Sequence, residues 1–422
     1  MKPVSICSLV FITFLSGFNQ LALASENTSS VLTFDKVSLK GTARLRYEDT
    51  QWYGSATSPL SFTRTAFYSF RIRPTLSFEV DDSLSLVLTP QFAKILGRDY
   101  SYAQTDSSGV AAYNEHFHMH EAYGKMKLAS NFHFKAGRMI ASYGDQLVVA
   151  AGEWPLTGRS FDGFVFTLNS DLADIDVFSM KVDSSANLIG ADRDFSGFYS
   201  KWKTLPEFKA LEFYAMYESN MVSGANDSRN MFGTRVSTFF ADAIDLGIEA
   251  ASDSGVGAYS VDNDRHTMVV ATAGYLFSEF AKLRIGYEFN QADQNWRDWY
   301  ALLKGPLGRN EVVGRRNLTA HALRISFDPV ETYKVRIDLW KYSRYSDNAP
   351  AYRPTDSIAV GVATGSSSLE IGQAIDLAVT QKASDKIEYG IGATIFDQGA
   401  YLNDQFGDRQ LTDFYAVANI NF

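Results

Sequence analysis

Residues 37–48 read VSLKGTARLRYE. Val37, Leu39, Gly41, Ala43, Leu45 and Tyr47 alternate with Ser38, Lys40, Thr42, Arg44, Arg46 and Glu48. A period of two puts successive side chains on opposite faces of a strand, so one face is apolar and the other polar. The polar face is also basic, although the whole chain carries a formal net charge of −9. An acidic chain that gathers Lys40, Arg44 and Arg46 on one strand face needs an environment that separates those cations from its acidic remainder.

The same alternation recurs along the chain. Tyr68, Phe70, Ile72, Leu76 and Phe78 oppose Ser69, Arg71, Arg73, Thr75, Ser77 and Glu79. Leu283, Ile285, Tyr287 and Phe289 oppose Lys282, Arg284, Glu288 and Asn290, and Val335, Ile337 and Leu339 oppose Lys334, Arg336, Asp338 and Arg344. Segments of this kind number about 18, each near the ten residues that a tilted membrane strand requires. Short turn-forming connections (Asp81-Asp82-Ser83, Ala129-Ser130-Asn131, Asn169-Ser170-Asp171, Pro206-Glu207, Ala241-Asp242, Asp328-Pro329, Ser384-Asp385) alternate with long polar loops near 49–64, 98–114, 142–161, 253–265, 292–315, 346–366 and 397–410. Short periplasmic turns and long extracellular loops define an all-β, antiparallel transmembrane barrel. The last residues, FYAVANINF (414–422), place Phe414, Ala416, Ala418, Ile420 and Phe422 on one face. A terminal apolar strand ending on an aromatic resembles the segment by which the barrel-assembly machinery handles such proteins. A closed barrel removes the bare edge it would otherwise leave.

Residues 1–24 have the form of a secretory signal: Lys2, an apolar run from Val4 to Leu15, and Ala22-Leu23-Ala24 as an A-x-A cleavage site near Ala24. Segment 25–36 is then a periplasmic N-terminal extension and 37–422 the barrel, in the outer membrane of a Gram-negative cell. The one cysteine, Cys7, lies inside the signal, so the mature chain has no thiol for disulfides, cysteine catalysis or metal ligation.

In a membrane barrel the polar face looks into the lumen, because Arg or Lys on the lipid face at mid-membrane costs about 2–4 kcal/mol. On that phase the inward basic positions are Lys40, Arg44, Arg46, Arg71, Arg73, Lys125, Lys127, Lys135, Lys201, Lys203, Arg235, Lys282, Arg284, Arg316, Arg324, Lys334, Arg336 and Arg344. The acidic ones are fewer: Glu48, Glu79, Glu121, Glu212, Glu218, Asp245, Glu249, Glu288, Asp338, Glu370, Asp376 and Glu388. The phase near 162–183 and 266–277 is ambiguous. A basic lumen lowers the barrier for anions, and Arg suits carboxylate or phosphate through its planar fork. The alternative is that these charges pair with one another and brace the wall.

Gly137-Arg138, Tyr143-Gly144-Asp145, Trp154 and Gly158-Arg159-Ser160-Phe161-Asp162-Gly163 follow in order at close spacing. This block resembles the alginate export family of outer-membrane porins. Phe232-Gly233-Thr234-Arg235, Arg284-Ile285-Gly286-Tyr287, Arg316-Asn317-Leu318, Leu369-Glu370-Ile371-Gly372 and Phe396-Asp397-Gln398-Gly399 are similar to further strands of that family. Departures are Met139 for Gln, Ala374 for Glu, and Gln291-Ala292-Asp293 for a Ser-Gly-Asp-like stretch. The resemblance implies a monomeric channel that passes an anionic uronate polymer outward, taking it from periplasmic polymer-handling proteins. Two readings of the 137–163 block stand side by side. In one, Tyr143, Asp145, Arg159 and Asp162 tie an extracellular loop to itself through hydrogen bonds and an Arg–Asp pair. In the other, the loop folds inward as a constriction with Arg159 facing the substrate path.

No P-loop, GxGxxG, GxSxG or HExxH occurs, and no cofactor or nucleic-acid site is expected. His116, His118 and His120 alternate on a strand and are weak metal candidates, without a clearly placed carboxylate. The functional classes are an anion-selective exporter of an acidic polysaccharide, a porin for uptake of small carboxylates or sugar acids, an outer-membrane hydrolase, and an adhesin.

Overall fold

The computed structural model describes residues 36–54, 58–97, 104–105, 111–112, 115–182, 193–203, 205, 207–220, 227–256, 265–302, 304–309, 312–354 and 358–422. The expected signal, all of segment 25–36 but Lys36, and the side chain of His116 lie outside them.

Eighteen antiparallel strands close on themselves among the described residues. In chain order they are β1 Lys36–Tyr53, β2 Phe62–Glu79, β3 Leu84–Leu96, β4 Glu115–Ala129, β5 Phe132–Met139 and β6 Phe161–Asn169. There follow β7 Ala173–Val182, β8 Arg193–Trp202, β9 Phe208–Asn220, β10 Asp227–Phe240, β11 Ile244–Val256 and β12 His266–Phe277. The last are β13 Leu283–Ala292, β14 Leu318–Phe327, β15 Tyr333–Arg344, β16 Glu370–Lys382, β17 Ile387–Gln398 and β18 Gln410–Asn421. Each strand pairs with its sequence neighbours, and β1 pairs with β18 from Thr42↔Asn421 to Asp49↔Phe414. Gly41 and Phe422 complete the seam by exchanging backbone hydrogen bonds of 2.8 and 3.0 Å. The ring of Phe422 fills the space a Cβ on Gly41 would occupy.

The barrel is inside out relative to a soluble domain. Leu45 is 48 % exposed while its neighbours Arg44 and Arg46 are 8 % and 1 % exposed. Leu377 and Ile375 are exposed and the intervening Asp376 is buried. Large apolar side chains therefore face lipid, as hydrocarbon demands of a wall that pairs its backbone groups within the sheet. Aromatic pairs lie along that face, among them Tyr47–Tyr68 (4.7 Å) and Phe134–Phe166 (4.7 Å). No helix of the described residues is long and apolar enough to cross a membrane.

Two large apolar clusters and a small one of Phe67, Ala93, Ile95 and Leu156 occupy the lumen among the described residues. One large cluster joins Phe161, Phe178, Met180, Phe195, Met231 and Met268 of the wall to Val148, Val149, Trp296 and Tyr300 of the 140–160 and 293–317 loops. The other joins Trp340, Tyr342 and Phe396 to Leu307, Val313, Tyr401 and Leu402, the last two on the short helix α1, Ala400–Phe406. These contacts explain the ambiguous phase at 162–183 and 266–277, since the inward face there is apolar where loops pack on it.

Two inward positions are corrected. Lys282 lies in the turn before β13 with φ +48, and meets Asp328 at 3.9 Å at the rim. The turn residues 278–282 shift the strand start to Leu283. Arg316 lies before β14, over the ring of Tyr352 at 3.9 Å. The lipid-face assignment predicts that Leu377→Arg, at the middle of the outward row on β16, costs about 2–4 kcal/mol. Urea titration of the folded fraction in lipid vesicles measures it; an unchanged midpoint would place Leu377 in the lumen.

Candidate functional site

Arg44 and Arg46 of β1 and Arg71 and Arg73 of β2 face inward, and the register sets Arg44 directly opposite Arg71. Like charges opposed across a strand pair are destabilising. The 140–160 loop resolves the conflict by folding into the barrel. Arg44 donates to the carbonyls of Glu153 (2.7 Å) and Pro155 (3.0 Å). Arg46 donates to the Trp154 carbonyl. Arg71 and Arg73 hold the Glu153 carboxylate at 3.0 and 2.6 Å, and Arg73 also reaches the Thr157 carbonyl at 2.8 Å. Gly158 makes this approach possible: it has φ +72, and a Cβ there would sit 2.5 Å from a guanidinium nitrogen of Arg73.

Glu48, buried on β1, is the second carboxylate of the site. It meets Arg46 at 2.7 Å and Lys304 at 3.4 Å, and accepts the Trp154 indole N–H at 2.8 Å. Trp154 lies beneath Arg46 (4.7 Å) and Lys304 (5.1 Å). Arg46, Arg71, Arg73 and Lys304 thus share the two carboxylates Glu48 and Glu153, while Arg44 meets backbone carbonyls alone. The remaining donors are met largely by neutral carbonyl oxygens, so the site keeps a positive surplus.

The 293–317 loop locks onto the first. Backbone bonds Ala150 N–H to Tyr300 C=O, Tyr300 N–H to Val148 C=O and Leu302 N–H to Gln146 C=O run between them, at 2.8–2.9 Å. Arg159 donates to the carbonyls of Ala150 and Tyr300. It staples the two loops together and does not present a free guanidinium to the path. The Tyr300 hydroxyl donates to Glu218, which also carries Arg229 and Arg193. Across the lumen Arg324 reaches the Pro306 carbonyl, and the Tyr342 hydroxyl donates to the Leu307 carbonyl.

The rest of the 137–163 motif divides between the two readings. The loop does fold inward. Its Arg–Asp pair, however, is Arg138 with Asp162 in a fork of 2.7 Å contacts on the outward face of β5 and β6. Asp145 takes Arg235 of the wall, at 2.6 and 2.9 Å, and Tyr143 stacks on Tyr199 at 4.6 Å. Arg284 is held by Asp245, Arg324 by Glu288, and Arg336 by Asp338. Arg344 is buried against the carbonyls of Asp347, Ala349, Ser366 and Ser368 and orders its own loop. Lys40 and Lys334 face inward without an ion pair among the described residues. Pairing therefore engages much of the arginine surplus read from the sequence.

His118 and His120 have ring centroids 6.2 Å apart. His120 is buried, with Nδ1 3.0 Å from the Ser160 hydroxyl. No group of three His, Cys, Asp or Glu side chains suited to a metal occurs among the described residues.

A family model described as "Alginate export" matches residues 37–415. The chain belongs to the alginate export family. Among solved structures it is similar to Pseudomonas aeruginosa OccD3 (OpdP), with TM-score 0.62, 13 % identity and 92 % of both chains covered. P. aeruginosa OccK9 (OpdG) gives TM-score 0.64 at 10 % identity, covering 92 % of this chain and 99 % of that one. Acinetobacter baumannii OccAB1 gives 0.61 at 10 % identity, covering 94 % and 99 %. No curated protein shows significant sequence similarity to the chain. Family and fold together make it an outer-membrane channel and not an enzyme.

Burial alone raises the Glu153 carboxyl, but Arg73, Arg71 and His120 more than offset it and hold its pKa near about 2, below its ordinary 4.5. A depressed carboxylate contributes its docking energy fully above the ordinary value and loses it as pH falls through the folded one. Acidification from pH 4.5 toward about 2 is expected to free the Glu153 end of the loop and raise single-channel conductance reversibly. Glu153→Gln is expected to show the raised conductance at neutral pH and no acid step. Equal conductance and equal acid response in both proteins would show that Glu153 does not hold the loop.

Proposed function

We propose that this channel is anion-selective and exports an acidic, alginate-like polysaccharide through its basic lumen. The observation that carries the reading is the wall formed by Arg44, Arg46, Arg71 and Arg73, whose donors are met mostly by loop carbonyls. Carbonyls satisfy hydrogen bonds without neutralising charge, so a uronate carboxylate is a better partner for this wall than the loop is. Contacts of this kind are multiple and individually weak, as conduction requires. No chemistry is performed. Family membership supports export of a polymer, and acceptance from periplasmic polymer-handling proteins belongs to the same reading, as does a monomeric barrel.

A second reading is a porin for uptake of small carboxylates or sugar acids. It is favoured by the two inward loops, which bond to each other across the lumen and narrow it with the wall intact.

Reversal potential under a salt gradient in a planar bilayer tests the selectivity. Anion preference with current block by oligouronates is expected. Changing Arg44, Arg46, Arg71 and Arg73 together to Gln is expected to lower that preference and raise conductance. Cation preference in the native protein would overturn the reading. Passage of a long uronate polymer separates export from small-solute uptake.

A further inference from the structure

The mid-barrel opposition of Arg44 and Arg71 has a counterpart at the short-turn end. On β4 and β5 the register sets Lys125 opposite Lys135 and Lys127 opposite His133. All four are on the inward phase, two rows from the 130–131 turn, at the periplasmic mouth. Lys125 and Lys127 are exposed there, while His133 and Lys135 are half-buried. The nearest inward carboxylates, Glu121 and Asp176, attract Lys135 through space, but neither forms an ion pair with a lysine of this group among the described residues. Glu121 accepts the Thr89 hydroxyl at 3.2 Å, and Asp176 accepts that of Thr167 at 2.6 Å. Lys135 lies over the ring of Tyr123 at 5.1 Å, and His133 Nδ1 is buried without a hydrogen-bond partner. None of the three lysines makes an ion pair among the described residues. By contrast Arg46, Arg71, Arg73, Arg235, Arg284 and Arg324 each meet a carboxylate.

Directly opposed like charges cost stability, and a wall without another use for them is better served by one Glu. We propose that Lys125, Lys127, Lys135 and His133 form a capture site for the carboxylates of an acidic saccharide at the periplasmic mouth, ahead of the arginine wall. The site rests on the anion-channel reading and adds a place and a direction to it. Lysine suits this role: its compact, mobile ammonium groups hold successive carboxylates loosely, without the fixed geometry that a guanidinium imposes. The exposed position lets an arriving chain engage the patch without displacing either loop.

The test uses the full barrel in a planar bilayer with trigalacturonate added to one side at a time. Orientation is read from thiol labelling of Asn348→Cys in the 345–369 loop, the mature chain being expected to have no other cysteine. The variant carries Lys125→Gln, Lys127→Gln and Lys135→Gln. The half-blocking concentration from the turn side is expected to rise about tenfold in the variant, the sum of several exposed charge contacts. From the loop side it is expected to stay the same. The triple Arg variant at these positions is expected to retain block. Relief of like-charge opposition leaves the Gln variant at least as heat-stable as the native barrel, which guards against loss by misfolding. Unchanged turn-side block in the Gln variant overturns the capture site and leaves the anion channel standing. Equal block by uncharged maltotriose also overturns it. Absence of block in the native protein from either side overturns the channel reading itself.

Discussion

A strand edge has no partner inside hydrocarbon, and every unpaired backbone group there is costly. The pairing of β1 with β18, finished by the reciprocal Gly41–Phe422 bonds, is therefore the constraint on which the rest of the molecule depends. Once the sheet is closed, lipid takes the apolar face. The polar face is confined to a lumen where charges must be answered by one another, by loops, or by what passes through. The first two strands illustrate this. Arg46 is nearly sealed from solvent, yet it sits on Glu48 and on the Trp154 carbonyl. A guanidinium so placed is tolerable because both terminal nitrogens meet oxygens, one of them a carboxylate, although its Nε is left without a partner.

The barrel was legible because alternation is strict where one face meets lipid and the other meets polar lumen. β1, β2, β13 and β15 are such strands. Legibility failed where the inward face receives a loop. Phe161 and Val165 on β6, Phe178 and Met180 on β7, and Met268 and Val270 on β12 point inward, yet all are apolar because the 140–160 and 293–317 loops or neighbouring wall side chains pack on them. Such a strand is apolar on both faces, and a period of two cannot assign its phase. The candidate site was half legible for a related reason. The four arginines follow from strand phase. Their partners do not, since Trp154 meets Glu48 across 106 residues and Asp145 meets Arg235 across 90. No local pattern records a loop's destination.

The two inward loops behave as one body. The Val149–Tyr300 bridge, the flanking backbone bonds and the Arg159 staple join them. Tyr300 packs edge-on against Phe161 and Phe195 and is bonded to Glu218. Freeing the Glu153 end alone leaves that second anchorage in place. The Glu153 contacts govern the gap beside β1 and β2, while the Tyr300 contacts govern how far the loops lift from β8 and β9.

On the proposed reading, the energetics of passage turn on competition for the arginines. The docked loop brings them one carboxylate, that of Glu153, shared by Arg71 and Arg73. Arg44 receives carbonyl oxygens only, and Arg46 shares Glu48 with Lys304. A uronate chain offers one carboxylate per sugar, so it leaves less uncompensated charge in the low-dielectric wall than the loop does. A neutral sugar offers hydroxyls, which replace the carbonyls at no electrostatic gain and leave the loop in place. Selectivity then does not require a pore sized to its substrate. It follows from a wall that the protein's own loop satisfies in hydrogen bonds but not in charge, and that a polyanion satisfies in both.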